Sequence, residues 1–176
     1  AAQNERVTVR YTVYARELSA GNTYYDKYVL LVNPVNALVY TIGLEEAESE
    51  LAIHLPAEWH TATTLHCTDS TAKTKTFHVP DLQCLMDSPI LASPHIHRSE
   101  YEVSGVRFYI DICGESTLDM ERTLTDFKAF TQLQIDAFGG FPTEGYRFLF
   151  LLTPFRFHHG VEHERSTVIA LGPADD

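Results

Sequence analysis

The C-terminal part of the chain reads Tyr146-Arg-Phe-Leu-Phe-Leu-Leu152, then, after four residues, Phe157-His-His-Gly-Val-Glu-His-Glu-Arg-Ser-Thr-Val-Ile-Ala-Leu171. Two apolar runs flank a short segment that is dense in His, Glu and Gly. Such runs predict buried strands, at about 146–152 and 166–171. The segment between them is predicted to be a loop or edge strand held by rigid neighbours, which is where functional side chains commonly lie.

Upstream of these runs the apolar spacing becomes helical. Apolar residues from Met120 to Phe138 recur at intervals of three and four, which predicts a long helix at about 117–138. Ser116 and Asp119 have the spacing of a capping box at its start. The pair Gly139-Gly140 predicts its end, because glycine readily adopts the left-handed conformation of a C-cap.

The first 114 residues read as many short strands separated by turn signals. The predicted strands lie at about 7–14, 24–32, 38–42, 51–55, 59–65, 77–79 and 106–113. Asp81 and Asp87 are predicted to be turn residues. We therefore expect a mainly β protein. An antiparallel β-sandwich or saddle domain, residues 1–114, would precede residues 115–176, where the long helix and a few strands start an α/β lobe.

Composition narrows the classes of function. The 176 residues carry a formal net charge of −11, which argues against nucleic-acid binding and against docking on anionic membranes. No run of eighteen apolar residues predicts a membrane span. The cysteines Cys67, Cys84 and Cys113 match no paired spacing and are expected to be free thiols. The sequence does not indicate a compartment.

One motif allows a metal-binding interpretation. His159-Gly-Val-Glu-His163 matches H-x-x-E-H, in which two histidines on one helical turn and a glutamate hold or serve a zinc ion. A metal-binding protein using His159, Glu162 and His163 is therefore one alternative, although Gly160 disfavours the helix that it requires. His95 and His97 could form a metal pair on one strand face, but a plain surface pair is favoured.

Three segments together carry a resemblance to a known family. They are Val79-Pro-Asp-Leu-Gln-Cys-Leu-Met-Asp-Ser-Pro-Ile90, Phe138-Gly-Gly-Phe-Pro-Thr-Glu-Gly-Tyr-Arg-Phe-Leu-Phe150 and Gly160-Val-Glu-His-Glu-Arg-Ser-Thr-Val-Ile169. In this order they resemble the glycyl aminopeptidase family of zinc metallopeptidases, whose members join a thermolysin-like catalytic lobe to a C-terminal PDZ domain. The resemblance covers nearly the whole chain, from the N-terminal β domain into the start of the catalytic lobe.

The resemblance implies a substrate-binding strand. Glu162 would pair with the free α-amino group of a peptide, and the backbone of Gly160 and Val161 would run beside the substrate. His163 would lie next to Glu162 and orient it. His159 stands where the family usually has glycine, which predicts an altered loop or pocket.

The resemblance also implies that zinc belongs to the full-length enzyme and not to this chain. The family holds zinc with H-E-x-x-H on a helix and a downstream glutamate, whereas His163-Glu-Arg-Ser-Thr167 has threonine at the second histidine position. We therefore expect the N-terminal portion of an aminopeptidase, without catalytic residues of its own. Its expected partners are a peptide with a free N-terminus, the rest of the catalytic domain and a PDZ domain. The alternative is a stand-alone, non-catalytic β-rich binding module.

Overall fold

The computed structural model describes residues 7–173, and the described chain is mainly β, as predicted. Its strands are β1 (Tyr24–Tyr25), β2 (Leu30–Val32), β3 (Ser49–His54), β4 (His60–Ala62), β5 (His66–Ser70), β6 (Thr74–Val79), β7 (Ile90–Ser93), β8 (Ile96–Val103), β9 (Val106–Cys113), β10 (Gly145–Leu152), β11 (His158–Glu162) and β12 (Ser166–Leu171). Its helices are α1 (Pro34–Ala37), α2 (Leu82–Met86) and α3 (Met120–Phe138). None of the helices in residues 7–173 combines the length and apolarity that a membrane crossing requires.

The N-terminal half contains two antiparallel sheets, in agreement with the predicted class. Their strand orders are β1-β2-β7-β4 and β3-β6-β5. In the second sheet, apolar and polar residues alternate along β3. Leu51 and Ile53 pack with Phe77 in the core, while Glu50 and His54 face outward. This sheet therefore has one apolar and one polar face, as expected of antiparallel strands. The other sheet is buried on both faces of its central strand β7, all four residues of which are buried.

The C-terminal half is built on a five-stranded mixed sheet of order β11-β12-β10-β9-β8. The central strand β10 runs parallel to both β9 and β12, and α3 forms the crossover between β9 and β10. A parallel strand is covered on both faces, which explains the nearly continuous apolar run at 146–152. Phe148 and Phe150 pack toward α3, while Leu149 and Leu151 pack with Leu31 of the N-terminal half.

The predicted domain boundary at residue 114 falls inside this architecture. Strand β9 ends at Cys113 and pairs over seven residue positions with β10, which lies beyond the boundary. One apolar cluster also joins Leu31 and Leu91 to Leu149 and Val168. The division into 1–114 and 115–176 stays a prediction, and the two parts share a core.

The long helix is confirmed, with a correction at its start. It begins at Met120, and its N-cap is Asp119, whose carboxylate accepts a hydrogen bond from the N–H of Arg122 at 3.1 Å. Ser116 lies too early to cap it. At the other end Gly139 adopts the left-handed conformation, with φ of 76°, and its N–H bonds to the carbonyl of Ile135, as the glycine pair predicted.

Two predicted strands were wrong. Residues 7–14 and 38–42 form no strand, and Val7 and Ile42 are 80% and 87% exposed. A pattern of alternating apolar and polar residues shows that a segment could fit a half-buried sheet. A strand also needs a neighbouring strand to complete its backbone hydrogen bonds. The predicted run 24–32 is divided into β1 and β2 by Asp26, whose carboxylate accepts hydrogen bonds from the N–H groups of Tyr28 and Val29.

A buried ion cluster ties the five-stranded sheet together. Asp111 on β9 is fully buried and accepts hydrogen bonds from Arg98 on β8 at 2.5 Å and from Arg147 on β10 at 2.6 Å. The guanidinium of Arg147 also lies 4.1 Å from the ring centroid of Tyr109. One carboxylate thus connects three neighbouring strands, with both of its oxygens satisfied.

We predict that Asp111→Ala lowers the free energy of unfolding by about 3–5 kcal/mol, because Arg147 would keep its buried position without a counter-ion. The matched control is Asp126→Ala, which breaks the Arg122–Asp126 pair, whose side chains are 81% and 70% exposed. That control is expected to cost less than about 1 kcal/mol. Urea unfolding of both variants measures the difference, and equal losses would contradict the structural role of Asp111.

Candidate functional site

The His-rich segment forms β11, the edge strand of the five-stranded sheet. It pairs only with β12, antiparallel, with His159 opposite Ala170, Gly160 opposite Ile169 and Glu162 opposite Thr167. Its second edge is therefore not covered by any strand of the described chain. An uncovered edge presents N–H and C=O groups that can pair with another extended chain.

Alternation along β11 separates its side chains into two sets. Val161 faces the N-terminal half and packs in the shared core, whereas Glu162 faces the opposite side and is exposed. Within residues 7–173 the carboxylate of Glu162 forms no ion pair. A Cβ at Gly160 would have its nearest neighbour, the carbonyl oxygen of Val168, at 3.9 Å, so the surface beside Glu162 is open. The Glu162 carboxylate is thus free to receive a cationic group.

His159 attaches β11 to the N-terminal half. Its Nδ1 accepts a hydrogen bond from the backbone N–H of Ala20 at 3.2 Å, and Ala20 is buried. The nearest atom to a Cβ built on the neighbouring Gly21 would be a methyl group of Val161, at 3.5 Å. His159 therefore supports the strand on the face opposite to Glu162.

His163 makes a second attachment, to Asp87. The Nδ1 of His163 donates to one carboxylate oxygen of Asp87 at 2.9 Å, and the backbone N–H of Glu164 donates to the other at 2.8 Å. The side chain of His163 is only 6% exposed. Asp87 read only as a turn residue in the sequence, and the 76 positions between it and His163 give no local signal of their contact.

The inverted zinc site is not formed. The segment is a strand and not a helix, so Glu162 points away from the face on which His159 and His163 are engaged. Among residues 7–173 there is no group of three His, Cys, Asp or Glu side chains placed to hold a metal ion, around His95 and His97 or elsewhere. The segment does not form the helix that the H-x-x-E-H interpretation requires, because a strand places these residues on alternating faces.

Tyr146 lies on the same face as Glu162. Its hydroxyl is hydrogen-bonded to that of Thr167, which stands opposite Glu162 in the neighbouring strand. Burial raises the pKa of Tyr146, the hydrogen bond with Thr167 opposes this, and the charges of Glu162 and Asp87 raise it further. The phenol therefore stays neutral near the carboxylate and leaves its negative charge uncompensated.

Comparison with known proteins identifies the family. The model of the peptidase M61 N-terminal domain matches residues 1–94, more than half of the chain. The chain belongs to the peptidase M61 N-terminal domain family. A search of curated proteins found no match.

Solved structures share the fold over most of the chain. An aminopeptidase N family protein from Idiomarina loihiensis superposes with a TM-score of 0.84 at 24% identity, covering 91% of this chain and 28% of its own. An M1 zinc metallopeptidase from Deinococcus radiodurans gives a TM-score of 0.54 at 16% identity over 88% of this chain and 39% of its own. A mutant of that enzyme bound to the substrate Tyr-Ser-Ala gives 0.52 at 18% identity over 83% and 36%. The chain thus spans well under half the length of these relatives.

We predict that His159→Ala lowers the free energy of unfolding by about 0.5–1.5 kcal/mol, because the N–H of Ala20 loses its acceptor. Exchange of the Ala20 amide hydrogen should accelerate. The matched control is His158→Ala, an exposed neighbour on the opposite face, which should change neither quantity. Denaturant unfolding and amide exchange measured by NMR test this, and an unchanged exchange rate at Ala20 would refute the attachment.

Proposed function

We propose that the chain is the N-terminal portion of a zinc-dependent aminopeptidase, and that β11 binds the N-terminal residue of its peptide substrate. The observation that carries the proposal is the exposed Glu162 carboxylate on an uncovered edge strand, within a chain whose family and fold are those of peptidases. The substrate class is peptides with a free α-amino group.

The chemistry of the strand suits this substrate. An extended peptide can add to the uncovered edge of β11 by main-chain hydrogen bonds, which give affinity without regard to sequence. Glu162 can then accept a charge-assisted hydrogen bond from the terminal ammonium, which is roughly twice as strong as a neutral one. An internal stretch of peptide has no such charge, so the carboxylate selects chain ends. Gly160 adds no side chain that would hold the peptide away.

Zinc belongs to the proposal for the whole enzyme. The residues described here do not fit the ion, since no three His, Cys, Asp or Glu side chains among them are placed to hold it and Thr167 occupies the second position of an H-E-x-x-H pattern. Support for zinc comes from the Deinococcus radiodurans relative, which is an M1 zinc metallopeptidase. When bound, zinc would activate the water that attacks the peptide bond. The residues of this chain would bind and align the substrate. The glycyl aminopeptidase specificity and the PDZ domain belong to the same proposal.

The binding step is tested with Glu162→Gln, which removes the charge and keeps the shape. We expect it to weaken binding of a tripeptide amide with a free amino group by about 10-fold or more, the loss of a hydrogen bond to a charged group. Calorimetric titration measures the affinity. The matched control is Glu164→Gln, an equal charge change on an exposed neighbour. The N-acetylated tripeptide should bind Glu162→Gln and the parent chain equally weakly, and a parent chain that binds both peptides equally well would refute the role of Glu162.

The catalytic step is tested on protein that includes the complete catalytic lobe. We expect release of the N-terminal residue from a tripeptide amide, loss of that activity with a zinc chelator and recovery on adding zinc. Glu162→Gln should lower kcat/KM by about 10-fold or more. Product analysis by mass spectrometry distinguishes removal of one terminal residue from internal cleavage, and internal cleavage of an acetylated peptide would contradict an aminopeptidase.

A further inference from the structure

The turn that follows β11 is held from outside its own sheet. The N–H of His163 donates to the carbonyl of Ser166 at 2.7 Å, which leaves Glu164 and Arg165 as the two central residues of a tight hairpin. Two polar groups on the N-terminal side of this hairpin, the Nδ1 of His163 and the N–H of Glu164, donate to Asp87. One carboxylate therefore binds a side chain and a backbone group of the same turn.

Asp87 is itself rigidly held. It is the C-cap of α2, and its N–H bonds to the carbonyls of Gln83 and Leu85. The adjacent Ser88 is buried and its hydroxyl is hydrogen-bonded to that of Thr64 at 2.9 Å. The carboxylate therefore projects from a fixed point of the N-terminal half, within the region that matches the family model.

The position of Glu162 depends on this turn. An edge strand is supported along one side only, and its ends fray unless they are tied down. Glu162 is the last residue of β11, directly before the turn, so any opening of the hairpin moves its carboxylate first. The attachment of His159 to Ala20 lies three residues away and cannot hold this end.

We propose that Asp87 is a positioning residue for recognition of the peptide N-terminus, acting through His163 and the backbone of Glu164 to hold Glu162 in place. This inference rests on the proposed function of Glu162. The N-terminal half thereby takes part in substrate selection, although Asp87 itself does not touch the substrate. Restricting the carboxylate before binding lowers the entropy that binding must overcome.

The test compares the affinities of a tripeptide amide and its N-acetylated form for Asp87→Ala, His163→Ala and the double variant. We expect each single variant to weaken binding of the free-amino peptide about 5- to 10-fold and to leave the acetylated peptide unchanged. The double variant should be no weaker than the single ones, because both changes remove the same contact. The matched control is Asp119→Ala, which removes the N-cap of the distant α3 and loses stability without altering either affinity.

Three results would overturn the proposal. They are equal losses for both peptides, losses that add in the double variant, and an Asp87→Ala affinity equal to that of Asp119→Ala. If Asp87→Ala does not fold, Asp87→Asn replaces it. The readout is then amide exchange at His163 and Glu164, whose N–H groups donate to Ser166 and Asp87. We expect exchange to be about 10-fold faster at both amides. Unchanged exchange would refute the proposal that Asp87 holds the turn. A different outcome separates the two proposals. If Asp87→Asn accelerates this exchange but Glu162→Gln leaves peptide binding intact, Asp87 holds the turn and the proposed function of Glu162 fails.

Discussion

The burial of β10 on both faces is the constraint on which the rest of the structure depends. A strand with parallel neighbours on both sides needs a cover above and below. This chain supplies α3 on one face and the β1-β2-β7-β4 sheet on the other. The two halves therefore cannot separate without exposing Leu149 and Leu151. The same layering leaves β11 at the margin of the sheet, where one edge and one face remain open. The candidate site lies at this edge because β11 is the last strand of the sheet and carries the exposed Glu162.

Because segment 159–163 is a strand and not a helix, its side chains point alternately to two faces and do not converge on one metal site. In a helix the two histidines would share a face and point with the glutamate toward a common centre. In β11 the alternate residues His159, Val161 and His163 hold the strand against the N-terminal half. Gly160 and Glu162 are left on the open face. The pleat thus places the attachments and the exposed carboxylate on opposite faces of one strand.

Local patterns predicted those parts of the fold that local forces decide. The runs at 146–152 and 166–171 were correct because burial on both faces leaves a continuous apolar signature, and Gly139 ended α3 because its conformation requires no distant partner. Residues 7–14 have an equally clean alternation, yet they form no strand. Pairing depends on residues far along the chain, which a single sequence does not connect. The same reason hid the contact of Arg147 with Asp111 and that of His163 with Asp87, whose partners lie 36 and 76 positions apart in the chain.

The family match ends before β11, yet the groups that hold this strand lie within the matched region. The match ends at residue 94, whereas β11 begins at His158, so the edge strand lies outside the matched region. Both groups that hold its inner face, the N–H of Ala20 and the carboxylate of Asp87, lie inside that region. A domain that served only to fill space beside a catalytic lobe would need apolar contacts alone. Directed hydrogen bonds to the backbone and side chains of one edge strand determine where that strand lies. Under the proposed function, the N-terminal half is thus a template for the strand that binds the substrate, and its structure and the orientation of Glu162 form a single physical problem.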